Sequence, residues 1–400
     1  MKFEELETPC FIINKTELEN NIKSFKKALD ENFPNNIFSY SVKTNSLPYI
    51  LNTVKIMGGF AEVVSSDEYN LAKEIGFIPS KIIYNGPMKN KETFIDAVKN
   101  GAYVNIETKR EIEWLKEIEV TNIDNINIGI RININLGIIN SIEEKNLGSR
   151  FGFSYENGEL LDIISMLKEI GIVNFGIHAH RTTTTRSLDN YCKICNYIKK
   201  IIKEIDLNIK YIDIGGGFFG NYPGKPTYAE YSYSIKNALN DFIDLNKTTI
   251  LIEPGNGIIA SPIDFLFSIL DVKTINNEII CLSDSSRIDV DPLFHKTTYK
   301  IELLLKQKKH KRILKKQKIV GCTCLENDIL TNLENKPQLQ IEDKLLIKWV
   351  GAYTSTLSPN FIRYIPNVYI REKNNQYVLA RQKWTAKQII QQNFWRFNEE

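Results

Sequence analysis

Eight short β-type runs recur along the first two-thirds of the chain, and helix-type patterns lie between them. The runs are IFSYSV (37–42), GFAEVV (59–64), KIIYNG (81–86), AYVNIE (102–107), INIGIRI (126–132), VNFGIHA (173–179), KYIDIG (210–215) and TTILIE (248–253). The intervening stretches include NSLPYILNTVKIMG, SSDEYNLAKEIGF, NKETFIDAVKNG, ETKREIEWLKEI, ENGELLDIISMLKEIG and YAEYSYSIKNALNDFIDL. Their apolar residues tend to recur at three-to-four spacing, with Ser, Asn or Glu near several starts. Eight strands alternating with helices over about 230 residues is the count and size of a (β/α)8 barrel; an open doubly wound sheet suits fewer strands.

Beyond Ser261 the texture changes to strands without regular helices: FLFSILDVK, NEIICLSDSS, YKIELLLK, KQKIVGCTC and DKLLIKWVGAY. A hairpin, NVYIREKNNQYVLARQ, turns at Asn374-Asn375, and a helix-like TAKQIIQQNFWRF follows. The reading is a barrel over 28–260 and an all-β domain over 1–27 and 261–400. A chain of 400 residues is longer than one core usually supports, which agrees with two domains.

Composition narrows the function. With 42% hydrophobic and 25% charged residues and a net charge of +3, the chain reads as globular, with nothing that asks for nucleic acid or membrane as partner. The opening MKFEELETPC lacks the apolar core of a signal peptide, and the most apolar run, 258–272, carries Pro262, Asp264 and Asp271. Six scattered cysteines read as reduced thiols of a cytoplasmic protein. Cys192 and Cys195 form a CxxC inside a helix-like stretch with no second pair, so a helix face outweighs a zinc or redox site. The basic run KQKKHKRILKKQK (306–318) lacks interleaved aromatics and reads as a solvated hairpin or connecting loop.

A barrel converges the carboxyl ends of its strands on one face, and polar residues stand at one such end after another. Lys43 ends the first strand, Arg131 the fifth, and His178 and His180 the sixth; the seventh runs into Gly215-Gly216-Gly217 and the eighth into Glu253-Pro254-Gly255. Singly, each has a plain structural explanation: a strand-end turn, a packed histidine, a lysine reaching water. GGGFFG also matches a dinucleotide fingerprint, but outside a Rossmann unit that match is weak. Together the residue types describe a pyridoxal-phosphate site. Glycine backbone suits a phosphate, a lysine able to lose its proton can form a Schiff base, a histidine can stack on a ring, and a carboxylate can bind a protonated ring nitrogen.

At this point the sequence resembles the fold-type III pyridoxal-phosphate decarboxylases, the group of ornithine, arginine and diaminopimelate decarboxylases. The landmarks are TPCFI, YSVKTN, EVVSSDE, YNGPMK, RININ, SRFGF, HAH, IDIGGGFFG, IEPG, GCTCLEND and GAYTSTLSPNF, which cover nearly the whole chain. The resemblance implies a barrel of the alanine-racemase type with a C-terminal β-sandwich or β-barrel domain that completes the active site at a homodimer interface. It implies that Lys43 carries pyridoxal 5'-phosphate, that His180 stacks on the ring and that Glu253 meets the pyridine nitrogen. Arg131, Thr183, Gly216, Gly217, Gly255, Asn256 and Tyr353 would help to hold the cofactor. Cys324 would be the general acid that protonates Cα, reaching the active site from the partner subunit; its bland alternative is a small buried residue.

The departures concern the substrate, for which Asp284, Leu325, Asp328 and Phe361 are the candidate contacts. The family's EPGR is EPGN here, so Asn256 lacks a guanidinium, which Arg181 could supply. Leu325 replaces the acid by which diamino-acid decarboxylases read a distal amine; Asp284 matches a second such aspartate, and Glu326 and Asp328 could restore charge. The reading is decarboxylation of a diamino acid or a conjugate of one, as in polyamine, siderophore or secondary-metabolite synthesis. Two rivals stay open: a racemase on the same fold, which the carboxylate Glu253 disfavours, and a non-catalytic, decarboxylase-like regulatory binding protein.

Overall fold

The computed structural model describes residues 1–118, 126–134, 149–181, 185–205, 207–220, 222–296, 298–306 and 312–390. They divide into two compact units, Asn20–Ile258, and Met1–Glu19 with Ile259–Glu400. The chain opens with β1 (Cys10–Asn14) and α1 (Lys15–Asp30), and the division falls within that helix, as does the boundary expected at 27/28.

In the first unit, β2 (Asn36–Ser41), β3 (Phe60–Ser65), β4 (Ile82–Met88), β5 (Tyr103–Ile106), β6 (Asn127–Arg131), β7 (Phe175–His178), β8 (Ile209–Asp213) and β9 (Thr249–Ile252) close into a barrel. Every neighbouring pair is parallel, including the closing β2–β9 pair. The crossovers are α2 (Pro48–Ile56), α3 (Ser66–Glu74), α4 (Lys91–Lys99), α5 (Lys109–Lys116), α6 (Glu159–Glu169), α7 (Leu188–Ile205) and α8 (Tyr228–Leu239). Their starts are written locally. Ser65 accepts from the N–H of Glu68, Asn90 from that of Thr93, and Thr227 and Glu230 form a capping box.

The barrel interior is packed, not hollow. Phe60, Ile83, Tyr211 and Leu251 form a buried cluster within it. Gly129 and Gly176 make room for the Tyr211 side chain: a Cβ at either would lie within 2.3 Å of it. Even alanine at either position would therefore displace the residue whose hydroxyl supports the site described below.

After β9, α9 (Asn256–Ile259) leads into the second unit. There follow β10 (Ile263–Ile275), β11 (Glu278–Ser283), α10 (Arg287–Val290), β12 (Ile301–Leu304), β13 (Ile313–Val320), β14 (Ile329–Pro337), β15 (Lys344–Ile347), β16 (Asn367–Arg371), β17 (Tyr377–Arg381) and α11 (Ala386–Ile390). With β1 these strands make one nine-stranded, mostly antiparallel sheet, ordered β14-β13-β11-β10-β1-β16-β17 with β15 and β12 branching from β10. The β16–β17 hairpin turns at Asn374-Asn375, where Asn375 takes the left-handed φ of 58°. Residues 313–318 of the basic run belong to β13, which starts three residues before the KQKIVGCTC run and pairs antiparallel with β14, with Lys315 and Lys316 exposed on it, while 307–311 lie outside the described residues. In addition, β14 is a strand that the texture of the sequence did not mark.

Candidate active site

The carboxyl ends of the barrel strands carry a polar cluster on otherwise apolar runs. Lys43 stands just past β2, in a short 3-10 turn (Val42–Thr44) that lifts it off the strand. Its Nζ donates to both oxygens of Glu62 on β3, at 2.7 and 3.0 Å. Glu62 is buried, and burial alone would raise its pKa. The Lys43 cation and the hydrogen bonds from Lys43, Ser41 and Asn85 outweigh that and hold it below the usual carboxylate range.

Glu253 follows β9 and is buried, with its own N–H donating to the Gly215 carbonyl. Burial first, then the negative charges of Asp213 and Glu62, push its carboxyl well above the usual range, so Glu253 holds a proton. Asp213, at the end of β8, is also raised, again mainly by burial. Its two oxygens accept from the Gly215 N–H and the Asn105 amide at 2.8 and 2.9 Å. His178, Asp213 and Glu253 bring donor atoms within 4.8 Å of one another, but both Asp213 oxygens are thus already engaged within the protein.

His180 lies two residues past β7. Its Nδ1 accepts the Gly216 N–H at 3.2 Å, which leaves the imidazole neutral, and burial with the nearby Arg131 and Lys43 cations lowers its pKa to about 3. Gly216 is therefore occupied in orienting His180, while its carbonyl accepts from Tyr191 at 2.9 Å. It was expected among the cofactor contacts, and both of its backbone polar groups have protein partners. A side chain at Gly216 would strike the Glu253 carbonyl at 2.3 Å, and Gly217 takes a φ of +89° that favours glycine. Gly255 approaches Thr44 as closely, and Asn256 opens α9. Arg131 is buried against Glu107 at 2.8 Å and over the Phe151 ring. Thr183 lies outside the described residues.

The sheet unit places its candidates differently. Cys324, Leu325, Tyr353 and Phe361 are exposed. Tyr353 and Ile362 take left-handed φ values of 56° and 63°, a costly conformation for non-glycine residues and worst for a β-branched one. Asp328, expected near the substrate, is instead buried. Its carboxylate accepts from the Arg287 and Thr323 N–H groups and from the Ser286 and Thr323 hydroxyls, so it holds the GCTCLEND loop in shape. Asp284 accepts the Ser268 N–H at 2.9 Å and lines a cavity of about 890 Å³ with Thr8, Ser268 and Lys344. Asp291 is buried under Arg287 and the N–H groups of His295 and Lys296.

Residues 15–260 match the family model described as "Pyridoxal-dependent decarboxylase, pyridoxal binding domain". The chain belongs to the pyridoxal-dependent decarboxylase family. It is 24% identical over 397 residues to the diaminopimelate decarboxylase of Aquifex aeolicus, covering 96% of this chain and 91% of that protein. It is equally similar, at 24% over 403 residues and with 96% and 93% covered, to the L-glutamyl-[BtrI acyl-carrier protein] decarboxylase of Niallia circulans. Among solved structures, the diaminopimelate decarboxylase of Methanocaldococcus jannaschii superposes with a TM-score of 0.84 at 22% identity, over 98% of this chain and 93% of that one. Membership makes the protein a pyridoxal-phosphate-dependent amino-acid decarboxylase and agrees with the barrel and the cofactor expected from the sequence.

The residues fit that cofactor. Among the described residues, both ring nitrogens of His178, Nε of Arg131 and Oε2 of Glu107 are buried polar atoms with no hydrogen-bond partner in the protein, which a polar occupant would satisfy. The sequence reading had not named Glu62, Asn85, Asn105, Glu107 or Asp213. Their signal was present: each is a polar residue set in a short apolar β-run, in FAEVV, IIYNG, YVNIE and YIDIG.

Proposed function

We propose that Lys43 carries pyridoxal phosphate, that Glu253 faces its ring nitrogen and that the substrate is an amino acid conjugated to a larger scaffold. The observation that carries the assignment is half-exposed Lys43 held by buried Glu62, which Asn85 links to buried Glu253. When bound, the cofactor supplies the electron sink for the pair left on Cα as carbon dioxide departs. Glu253 offers the proton on its carboxyl to the ring nitrogen, and neutral His180 presents an uncharged face for stacking. Gly217, Arg131, Thr183, Asn256 and Tyr353 bind the phosphate and ring. Cys324 donates its thiol proton to Cα, contributed from the partner subunit of a homodimer, which accords with the exposure of Cys324, Tyr353 and Phe361 on the single chain.

The substrate follows from where the acids are. Leu325 is apolar and Asp328 is spent on its own loop, which removes two candidate partners for a free distal ammonium; leaving such a group poorly paired is a loss of roughly 1–3 kcal/mol. A conjugate has no such ammonium to satisfy, and one relative at 24% identity is named for an acyl-carrier-bound glutamyl substrate. Siderophore or secondary-metabolite synthesis, more than polyamine synthesis, is the setting this supports. A free diamino acid is the second reading, favoured by the several relatives named diaminopimelate decarboxylase. All six cysteines are free thiols, in keeping with a cytoplasmic protein, and no helix among the described residues is long and apolar enough to cross a membrane. Carbon dioxide release by the cofactor-loaded protein tests the reading. The panel is free ornithine, lysine, arginine and diaminopimelate beside citryl- and carrier-conjugated amino acids. Release from conjugates alone is the expected result; release from a free diamino acid overturns the substrate assignment.

A further inference from the structure

We propose that Asn85 is a positioning residue that ties the carboxylate partner of Lys43 to Glu253 and so sets how tightly the cofactor is held. The proposal rests on the assignment of Lys43 and Glu253 given above. Asn85 lies on β4, buried, and its Nδ2 has two hydrogens. One goes to Glu62 Oε1 at 3.1 Å and the other to Glu253 Oε1 at 2.6 Å. The ionised Glu62 and the protonated Glu253 thus sit within hydrogen-bond reach of one nitrogen, in a low-dielectric setting where a buried charge without a donor is costly. Asn85 fills the gap with donors and leaves no acceptor facing either acid.

Its own orientation is not free. The Asn85 side-chain oxygen accepts from Asn105 Nδ2 at 2.8 Å, and Asn105 also donates to Asp213 at 2.9 Å. The Asn105 oxygen in turn accepts the Tyr211 hydroxyl at 2.8 Å. Tyr211 donates to Asn105, which donates to Asn85 and Asp213, and Asn85 donates to Glu62 and Glu253. The three acids on β3, β8 and after β9 are therefore oriented by one amide pair anchored in the barrel core. Lys43 shares Glu62 with Asn85, so the lysine and the ring-facing carboxyl are held in one frame.

An aspartate at this position has the same shape but offers no donor when ionised and one when protonated. It would face Glu62 and Glu253 directly; Lys43 lies on Glu62, Asp213 and Lys89 on Asn105, and neutral His178 beside Glu253, while Glu68, Arg131 and neutral His180 act on those same groups. The test is titration of the protein with pyridoxal phosphate, followed by absorbance, for the wild type, Asn85→Ala, Asn85→Asp and Lys43→Arg, at steps from pH 8 to pH 6. Each dissociation constant is divided by the wild-type value at the same pH, and melting temperatures without cofactor are recorded alongside. Losing a donor to a buried charge should weaken binding about tenfold to a hundredfold in both Asn85 variants at pH 8. The Asn85→Asp protein should recover toward the wild type as pH falls, while the Asn85→Ala protein should not. Wild-type binding by both variants, or equal weakening at every pH with equally lowered melting temperatures, overturns the proposal. If Asn85→Ala does not fold, a pH-independent ratio for Asn85→Asp alone overturns it. Wild-type binding by Lys43→Arg instead overturns the underlying site assignment, and the inference falls with it.

Discussion

The barrel rim and the GCTCLEND and GAYTSTLSPNF loops solve opposite problems. On the rim Lys43, Glu62, Arg131, Glu107, Asp213 and Glu253 meet at 2.6–3.1 Å, through direct pairs and the amides of Asn85 and Asn105. In the two loops the chemistry-bearing residues Cys324, Tyr353 and Phe361 face solvent, and their backbone is partly strained. Buried polar groups must be paired, so the rim pairs most of its own within one unit, with the His178 ring nitrogens, Nε of Arg131 and Oε2 of Glu107 as the exceptions. The left-handed φ values of Tyr353 and Ile362 are a local cost in the exposed loop that the paired rim does not carry.

The contrast can be broken at its strongest point. Lys43→Ala should abolish both decarboxylation and retention of pyridoxal phosphate through dialysis; retained turnover would remove the rim from the chemistry. Cys324→Ala should cut turnover by about 10²–10⁴-fold, the range for one proton-transfer group, while cofactor absorbance stays as in the wild type. If turnover is unchanged, the exposed loop has no catalytic part and the contrast between regions is only one of packing.

Two further changes probe how the rim is supported. Lys89 and Glu111 are fully buried and paired at 3.1 Å, and Lys89 also donates to the carbonyls of Gly86 and Asn105. Glu111 accepts the Glu107 N–H, and Glu107 holds Arg131, so this pair anchors the far side of the rim. Lys89→Met should cost about 3–5 kcal/mol in chemical denaturation by leaving Glu111 unpaired, and adding Glu111→Met should restore much of it. The smallest effect is a pH dependence. Burial raises Glu68 from its ordinary 4.5 to about 7. The fold disfavours the charged form, so this residue's contribution to stability is fully present below pH 4.5 and is lost as pH rises through about 7. Glu68→Gln should flatten the melting temperature across that window; an unaltered slope would assign the pH dependence elsewhere.

How far the sequence could be read follows the same division. All eight barrel strands and the residues just past them were legible, because a parallel barrel strand is a short apolar run whose first polar residue marks the rim. The supporting layer was less legible. Asn85 and Asn105 lie inside β4 and β5 and carry no chemistry of their own, and only the barrel's closure brings them to Glu253 and Asp213. The sheet unit was harder still. The ILTNLENKP stretch of β14 alternates weakly and pairs with a lysine-rich partner, so local texture there reads as loop. Asp328 looked like a free charge for a substrate because sequence shows an acid but not the backbone N–H groups that consume it.

The most direct test of the account is to reduce the cofactor-loaded protein with borohydride and map the pyridoxyl-modified peptide. The account predicts the modification on Lys43, within YSVKTN. Modification of any other lysine, with Lys43 unmodified, would contradict the assignment of the barrel rim as the catalytic site.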